Sequence, residues 1–165
     1  MKMELIQPFI NAADAVLAQT LKAPTTIGEV SMEEDAYRRK GVAALVRVAG
    51  DIEGRVIFDL EPSTAEKVAI KLVGDEANAQ EIIPEAICEL ANQVIGNAVT
   101  VLNDQGFHFK VMPPEIHTAE CGDKSSEDVE ALVMSFETVT GSVFMNIAMR
   151  YNKRRRADGH GATAD

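Results

Sequence analysis

Residues 41–60 read Gly-Val-Ala-Ala-Leu-Val-Arg-Val-Ala-Gly-Asp-Ile-Glu-Gly-Arg-Val-Ile-Phe-Asp-Leu. Val42, Ala44, Val46 and Val48 take every second place in 41–49, and Val56, Phe58 and Leu60 alternate with Arg55, Ile57 and Asp59 in 54–60. A period of two marks strands whose side chains point to opposite faces, and the Gly50-Asp51-Ile52-Glu53-Gly54 segment between them signals a hairpin turn. Two further strands are expected over 130–138 and 142–151, around Thr140-Gly141. The hairpins look alike: Ala44-Leu45-Val46 and Ala131-Leu132-Val133 stand 87 residues apart, and Gly54 and Gly141, Val56 and Val143, Leu60 and Ile147 share that offset. Chance likeness between short β-branched strands is the bland reading. The alternative is a duplicated unit of one helix and three strands. It predicts an α+β fold: a pseudo-symmetric antiparallel sheet of six or so strands, with the two long helices on one face.

Outward from the hairpins, Leu5, Phe9, Ala12, Ala13, Val16 and Thr20 or Leu21 recur at helical spacing over about 4–22. Pro8 is tolerated only near a first turn, which moves the expected start past Glu4, and Pro24 stops the helix. Residues 25–34 suit a first, rather polar strand. Pro62-Ser63-Thr64 opens a helix that Gly74 closes, an insertion in the first copy of the repeat. After a polar stretch over 75–80, a long helix is expected from about Ile82 to Asp104. Residues 107–112 and 115–118, split by Pro113-Pro114, suit a bent or edge strand, and 120–128 is a loop. Residues 1–152 are therefore expected to form one domain. The tail, beginning Lys153-Arg154-Arg155-Arg156, has no apolar period and is expected to be disordered.

The 165 residues are enough for one domain of ordinary size, and 46% hydrophobic with 25% charged residues is the balance of a globular chain. A net charge of −10 disfavours binding to nucleic acid or to an anionic membrane surface. The four basic tail residues are a solubilising terminus before they are a nucleic-acid patch. No apolar run is long enough to span a membrane and no signal-peptide pattern stands out, so a cytoplasmic protein is the default. The two cysteines, Cys88 and Cys121, are too few for a disulfide framework or a zinc site, and are read as a buried and a loop thiol.

The long helix carries the functional signal. In residues 83–103, Ile83, Ile87, Leu90, Val94, Ala98 and Val101 share one face and form the expected core stripe. Glu85, Glu89, Asn92, Gly96, Thr100 and Asn103 fall opposite, with Glu89 and Asn92 three apart and so neighbours. An outward Glu is ordinary. Asn in mid-helix is less so, at about 0.6 kcal/mol worse than Ala, and Gly one turn later costs about 1 kcal/mol more. Two helix-weakening residues on an exposed face make sense if something docks there: Gly96 admits a partner's backbone, and the Asn92 amide supplies a donor and an acceptor.

The segment Glu89-Leu90-Ala91-Asn92, in a long amphipathic helix before a hairpin, resembles the Glu-x-x-Asn signature of the CheC/CheX/FliY group of chemotaxis phosphatases. The Pro8-Phe9-Ile10 helix, the single intact signature and the length are similar to the CheX branch, over about residues 1–152. The family signature often begins with Asp or Ser where Glu85 stands. The first helix offers Glu4-Leu5-Ile6-Gln7, but Pro8 puts that segment at a helix start and it is not counted as a second site. The resemblance implies a hydrolase acting on the aspartyl phosphate of a phosphorylated CheY-like response regulator. Asn92 would orient the attacking water, much as a Gln does in GTPases, and Glu89 would pair with the regulator's active-site lysine. Glu85 and Gly96 would border the docking face. The Mg²⁺ would belong to the regulator, and no cofactor of the chain's own is implied. It further implies a homodimer joined through the sheets, by the polar first strand or the 142–151 strand.

Other constellations point nowhere. His108, His117 and His160 have no ligand spacing and the first two read as strand residues; no phosphate-loop pattern occurs. Two other functions stay open: a CheX-like module that docks a receiver without hydrolysis, and a ligand-binding α+β dimer unrelated to signalling, which an apolar pocket elsewhere would favour.

Overall fold

A computed structural model describes residues 2–34, 37–74, 79–118 and 130–152. In chain order the elements are α1 (Met3–Leu21), β1 (Thr26–Glu33), β2 (Val42–Gly50), β3 (Ile52–Leu60), α2 (Pro62–Val73), α3 (Ala79–Asp104), β4 (Phe109–Val111), β5 (Glu115–His117), β6 (Ala131–Thr138) and β7 (Gly141–Tyr151). The 120–128 segment, Cys121 and the tail from Lys153 lie outside the described residues.

The fold is α+β, as expected. All pairings in the seven-stranded sheet are antiparallel, in the order β1-β6-β7-β3-β2-β4, with β5 also on β2. That order is symmetric about the central β3–β7 pair. The first strand of each unit crosses to the other unit's hairpin: β1 lies on β6, while β4 and β5, interrupted by Pro113-Pro114, lie on β2. Phe58 opposes Met145, and Val56 with Ile147 maps onto Val143 with Leu60, so the 87-residue offset holds on the second strands. On the first strands the expected match fails. Ala44 opposes Phe58 and Met134 opposes Met145, so the offset there is 90 (134 less 44). The cause is the turn. The first hairpin runs on through Gly50 and Ile52 with only Asp51 between its strands, whereas the second ends at the Thr138–Gly141 pair. A slip of three reverses the sheet face, which puts Ala44 and Val46 on the core side but Val133 on the other.

The helices cover one face. Leu5, Ile6, Phe9, Val16 and Leu17 of α1, Ala65, Val68 and Ala69 of α2, and Ile87, Leu90 and Val94 of α3 join Val46, Val56, Phe58, Leu60, Phe136 and Met145 of the sheet in one core. On the far face Asp59 accepts hydrogen bonds from Tyr37 Oη (2.6 Å), the Gly41 amide (2.9 Å) and the Lys40 amide, which ties residues 37–41 over Ala43, Leu45 and Ile57. Gly54 sits at φ +150°, and a Cβ there would stand 1.9 Å from the Ala148 carbonyl oxygen, so only glycine lets β3 meet β7 at that point.

Three expectations need correction. α1 begins at Met3 and runs through Pro8. The ring removes the N–H that would bond the Glu4 carbonyl, a cost of about 3 kcal/mol in a helix interior. Burial of Leu5, Ile6, Phe9 and Ile10 on either side outweighs it, each contributing roughly 1.5–3 kcal/mol. The 142–151 strand is central, so it is no edge; β1 is. His108 directly precedes β4 and is not in a strand, whereas His117 lies in β5.

Candidate functional site

The outward face of α3 emerges as the spacing predicts. Ile83, Ile87, Leu90, Val94 and Ala98 are buried, and Glu85, Glu89, Asn92, Gly96, Thr100 and Asn103 are all exposed. The last position of the predicted stripe is displaced: Val101 is 44% exposed and Leu102 is buried in its place. Either residue continues a three-or-four spacing from Ala98. The stripe is also wider than drawn, taking in Ala86, Ala91 and Ile95, because α1 and α2 both pack on α3.

The four candidate residues therefore share one surface, built on a helix whose opposite side is locked in the core. Glu89 accepts a hydrogen bond from Gln93 Nε2 at 3.0 Å. Among the described residues the Asn92 carboxamide makes no hydrogen bond, so both its donor and its acceptor face solvent. A Cβ at Gly96 would meet nothing within 4 Å. Packing among the described residues gives no reason for glycine there. Thr100 Oγ1 donates to the Gly96 carbonyl at 3.0 Å. Cys88, expected to be buried, is partly exposed on this flank, and burial together with the charge of Glu85 pushes its thiol pKa up. Gln93 was not foreseen. Its position four residues after Glu89 was the available signal.

The pseudo-symmetry gives α3 a counterpart in α1. The buried residues Leu5, Ile6, Phe9, Ile10, Ala13 and Leu17 match Leu90, Ala91, Val94, Ile95, Ala98 and Leu102 at an offset of 85 (90 less 5). Glu4 and Gln7 then stand where Glu89 and Asn92 stand, Asn11 where Gly96 stands, and Pro8 where Gln93 stands. Gln7 Nε2 donates to Asn11 Oδ1 at 2.9 Å, so its amide is engaged within its own helix. Between α1 and α3 runs an open groove of about 470 Å³, lined by Gln7, Pro8, Asn11, Ala12, Asn97 and Val101 among others. Among the described residues no helix is long and apolar enough to cross a membrane.

The α+β fold, with its seven-stranded antiparallel sheet, is shared with CheC-like proteins. A CheC-like protein from Shewanella sp. PV-4 superposes with a TM-score of 0.77 at 21% identity, covering 91% of this chain and 99% of that one. CheX from Desulfovibrio desulfuricans superposes at 0.75 and 20% identity, covering 89% and 99%. The CheX of a CheX–CheY–BeF3–Mg²⁺ complex from Borrelia burgdorferi is 31% identical over 90% of this chain and 99% of that one, with a TM-score of 0.69. No curated protein matches the chain. The family described as Chemotaxis phosphatase CheX matches residues 42–137, more than half of the chain, and the chain belongs to that family.

Proposed function

We propose that this chain hydrolyses the aspartyl phosphate of a CheY-like response regulator, with Asn92 orienting the attacking water and Glu89 gripping the regulator. The observation that carries the reading is the state of Asn92: exposed in mid-helix, with no hydrogen bond of its own among the described residues, one turn from an exposed carboxylate. The related Borrelia chain is found with CheY, Mg²⁺ and BeF3, a group of the shape and charge of a phosphoryl.

The reaction asks little of a side chain beyond placement. In an acyl phosphate the leaving carboxylate is good, so water in line with phosphorus forms the new P–O bond as the bond to the aspartyl oxygen breaks. The products are the free Asp carboxylate and inorganic phosphate; both protons of the water pass to the phosphate, which gives up one of them to solvent in part at neutral pH. Asn92 accepts one proton of the water in a hydrogen bond through its carbonyl and donates to the phosphoryl region through its NH₂. No base of raised pKa is needed. Glu89 forms an ion pair with the regulator's lysine, which fixes the angle at which Asn92 enters. Gly96 lets the partner's backbone close on α3, and Glu85 lies at the rim. The Mg²⁺ is bound by the regulator.

The same chain is proposed to act as a homodimer through β1. Among the described residues the outer edge of β1 has no strand partner, and Ile27, Val30 and Met32 are exposed at 56%, 54% and 50%. These three oppose Phe136, Met134 and Leu132, so they lie on the helix side of the sheet, beyond the reach of the helices. Pairing two β1 strands antiparallel brings the two stripes side by side. The opposite edge is poorly suited, being two three-residue strands broken by Pro113-Pro114.

The test is turnover: phosphate release from an excess of phosphorylated regulator by substoichiometric chain. Catalytic release supports the reading. Tight docking without release selects the non-enzymatic module instead.

A further inference from the structure

Glu89 is a long, exposed side chain, and a carboxylate left to sample its rotamers meets a partner's lysine at an entropic cost. Two neighbours decide where it points. Glu85, one turn before it, is a like charge on the same face and repels it. Gln93, one turn after it, donates Nε2–H to Oε1 at 3.0 Å. Both act in one direction and draw the carboxylate toward the turn that carries Asn92. Oε2 stays open for a cation, and among the described residues Glu89 has no ion pair.

The counterpart helix lacks this arrangement. Pro8, the residue of α1 that corresponds to Gln93, is buried and has no donor to offer Glu4. The two related helix faces thus differ at the very residue that holds the glutamate, and only the α3 face combines a held Glu with an unengaged carboxamide.

We infer that Gln93 is a positioning residue for the phosphatase site: its side-chain amide pre-orients the Glu89 carboxylate beside Asn92 for the regulator's lysine. The inference rests on the function proposed above and adds a third residue to it. Gln93 acts through Glu89 and touches neither water nor phosphorus. Its loss should therefore weaken recognition and leave the chemical step alone.

The experiment is a double-mutant cycle on the full chain. Gln93→Met keeps length and helix propensity but removes the donor; Gln93→Glu puts a repelling charge there; Glu89→Ala removes the group positioned. Affinity is measured on regulator loaded with beryllium fluoride and Mg²⁺, and KM and kcat on phosphorylated regulator. Gln93→Met should raise Kd and KM about fivefold, the scale of an ordered side chain released, with kcat within about twofold of the parent. Gln93→Glu should be worse than Gln93→Met. In the Glu89→Ala background Gln93→Met should change neither constant, while thermal unfolding stays as in the parent.

Equal losses from Gln93→Met in both backgrounds would overturn the inference, since Gln93 would then contact the regulator itself. So would an unchanged Kd in Gln93→Met while Glu89→Ala still weakens docking, a result that leaves the function standing. If Glu89→Ala changes neither docking nor turnover, the site reading fails and the inference with it.

Discussion

Leu90 and Asn92 are two residues apart on one helix, and replacing each by Ala should have opposite effects on stability. Leu90 is 1% exposed, inside the main core, against sheet and helices together. Truncation removes three carbons, about 2.4 kcal/mol of transfer free energy at about 0.8 per methylene. The cavity left between α3 and its neighbours adds to this, giving about 3–4 kcal/mol, within the range known for such changes. For a chain of this size that is a fall in midpoint of roughly 6–16 °C. Asn92→Ala removes an exposed side chain with no hydrogen bond among the described residues, and replaces a poor helix former by the best one. It should gain about 0.6 kcal/mol. The assay is thermal and urea unfolding followed by circular dichroism, with turnover measured well below either midpoint. Leu90→Ala should keep most of its activity there. A Leu90→Ala protein within about 1 kcal/mol of the parent, or an Asn92→Ala protein destabilised by more than that, would refute the helical phase from which the whole site is derived.

Glu85→Ser should tighten binding to phosphorylated regulator modestly at low salt, with the gain shrinking as salt screens the phosphate from Glu85; titration at two ionic strengths reads this, and weaker binding would instead make Glu85 a direct contact. Val30→Lys on β1 should convert the dimer to monomer in light scattering at micromolar concentration while leaving the fold intact; a parent that is itself monomeric there contradicts the β1 interface. Burial, with Asp59 second, raises the Tyr37 pKa far above its ordinary value. The folded state thus keeps a proton that the unfolded chain loses at about pH 10. This contribution is fully present below pH 10 and fades as pH rises through and beyond it, so Tyr37→Phe should flatten the alkaline fall of the unfolding free energy.

The hairpins were legible because period two is local: Val56, Phe58 and Leu60 face the core wherever the strand is placed. The outward face of α3 was legible for the same reason, since Glu89 and Asn92 lie opposite Leu90 and Val94 by helix geometry alone. Long-range choices were not. Nothing near Thr26 announces that β1 pairs with β6, or that β7 takes the centre and leaves β1 the edge. The three-residue slip between the hairpins comes from turn length, which no comparison of Ala44-Leu45-Val46 with Ala131-Leu132-Val133 could expose. Pro8 misled because burial of its neighbours overrides its local penalty. Val101 and Leu102 are both in phase with the stripe, and only the tertiary packing puts Leu102 in the core and leaves Val101 exposed. Gln93 escaped because a hydrogen bond four residues along a helix is a common solvated contact until its acceptor has a role.

The central claim is that the Asn92 carboxamide orients water for the hydrolysis of a regulator's aspartyl phosphate. The measurement closest to it is single-turnover phosphate release from phosphorylated regulator by saturating Asn92→Ala protein, with affinity for the beryllium fluoride–loaded regulator taken in parallel. Release should fall by at least about 100-fold if placement is the function of the amide, while affinity stays within about threefold of the parent. Full-rate release by the variant would contradict the account.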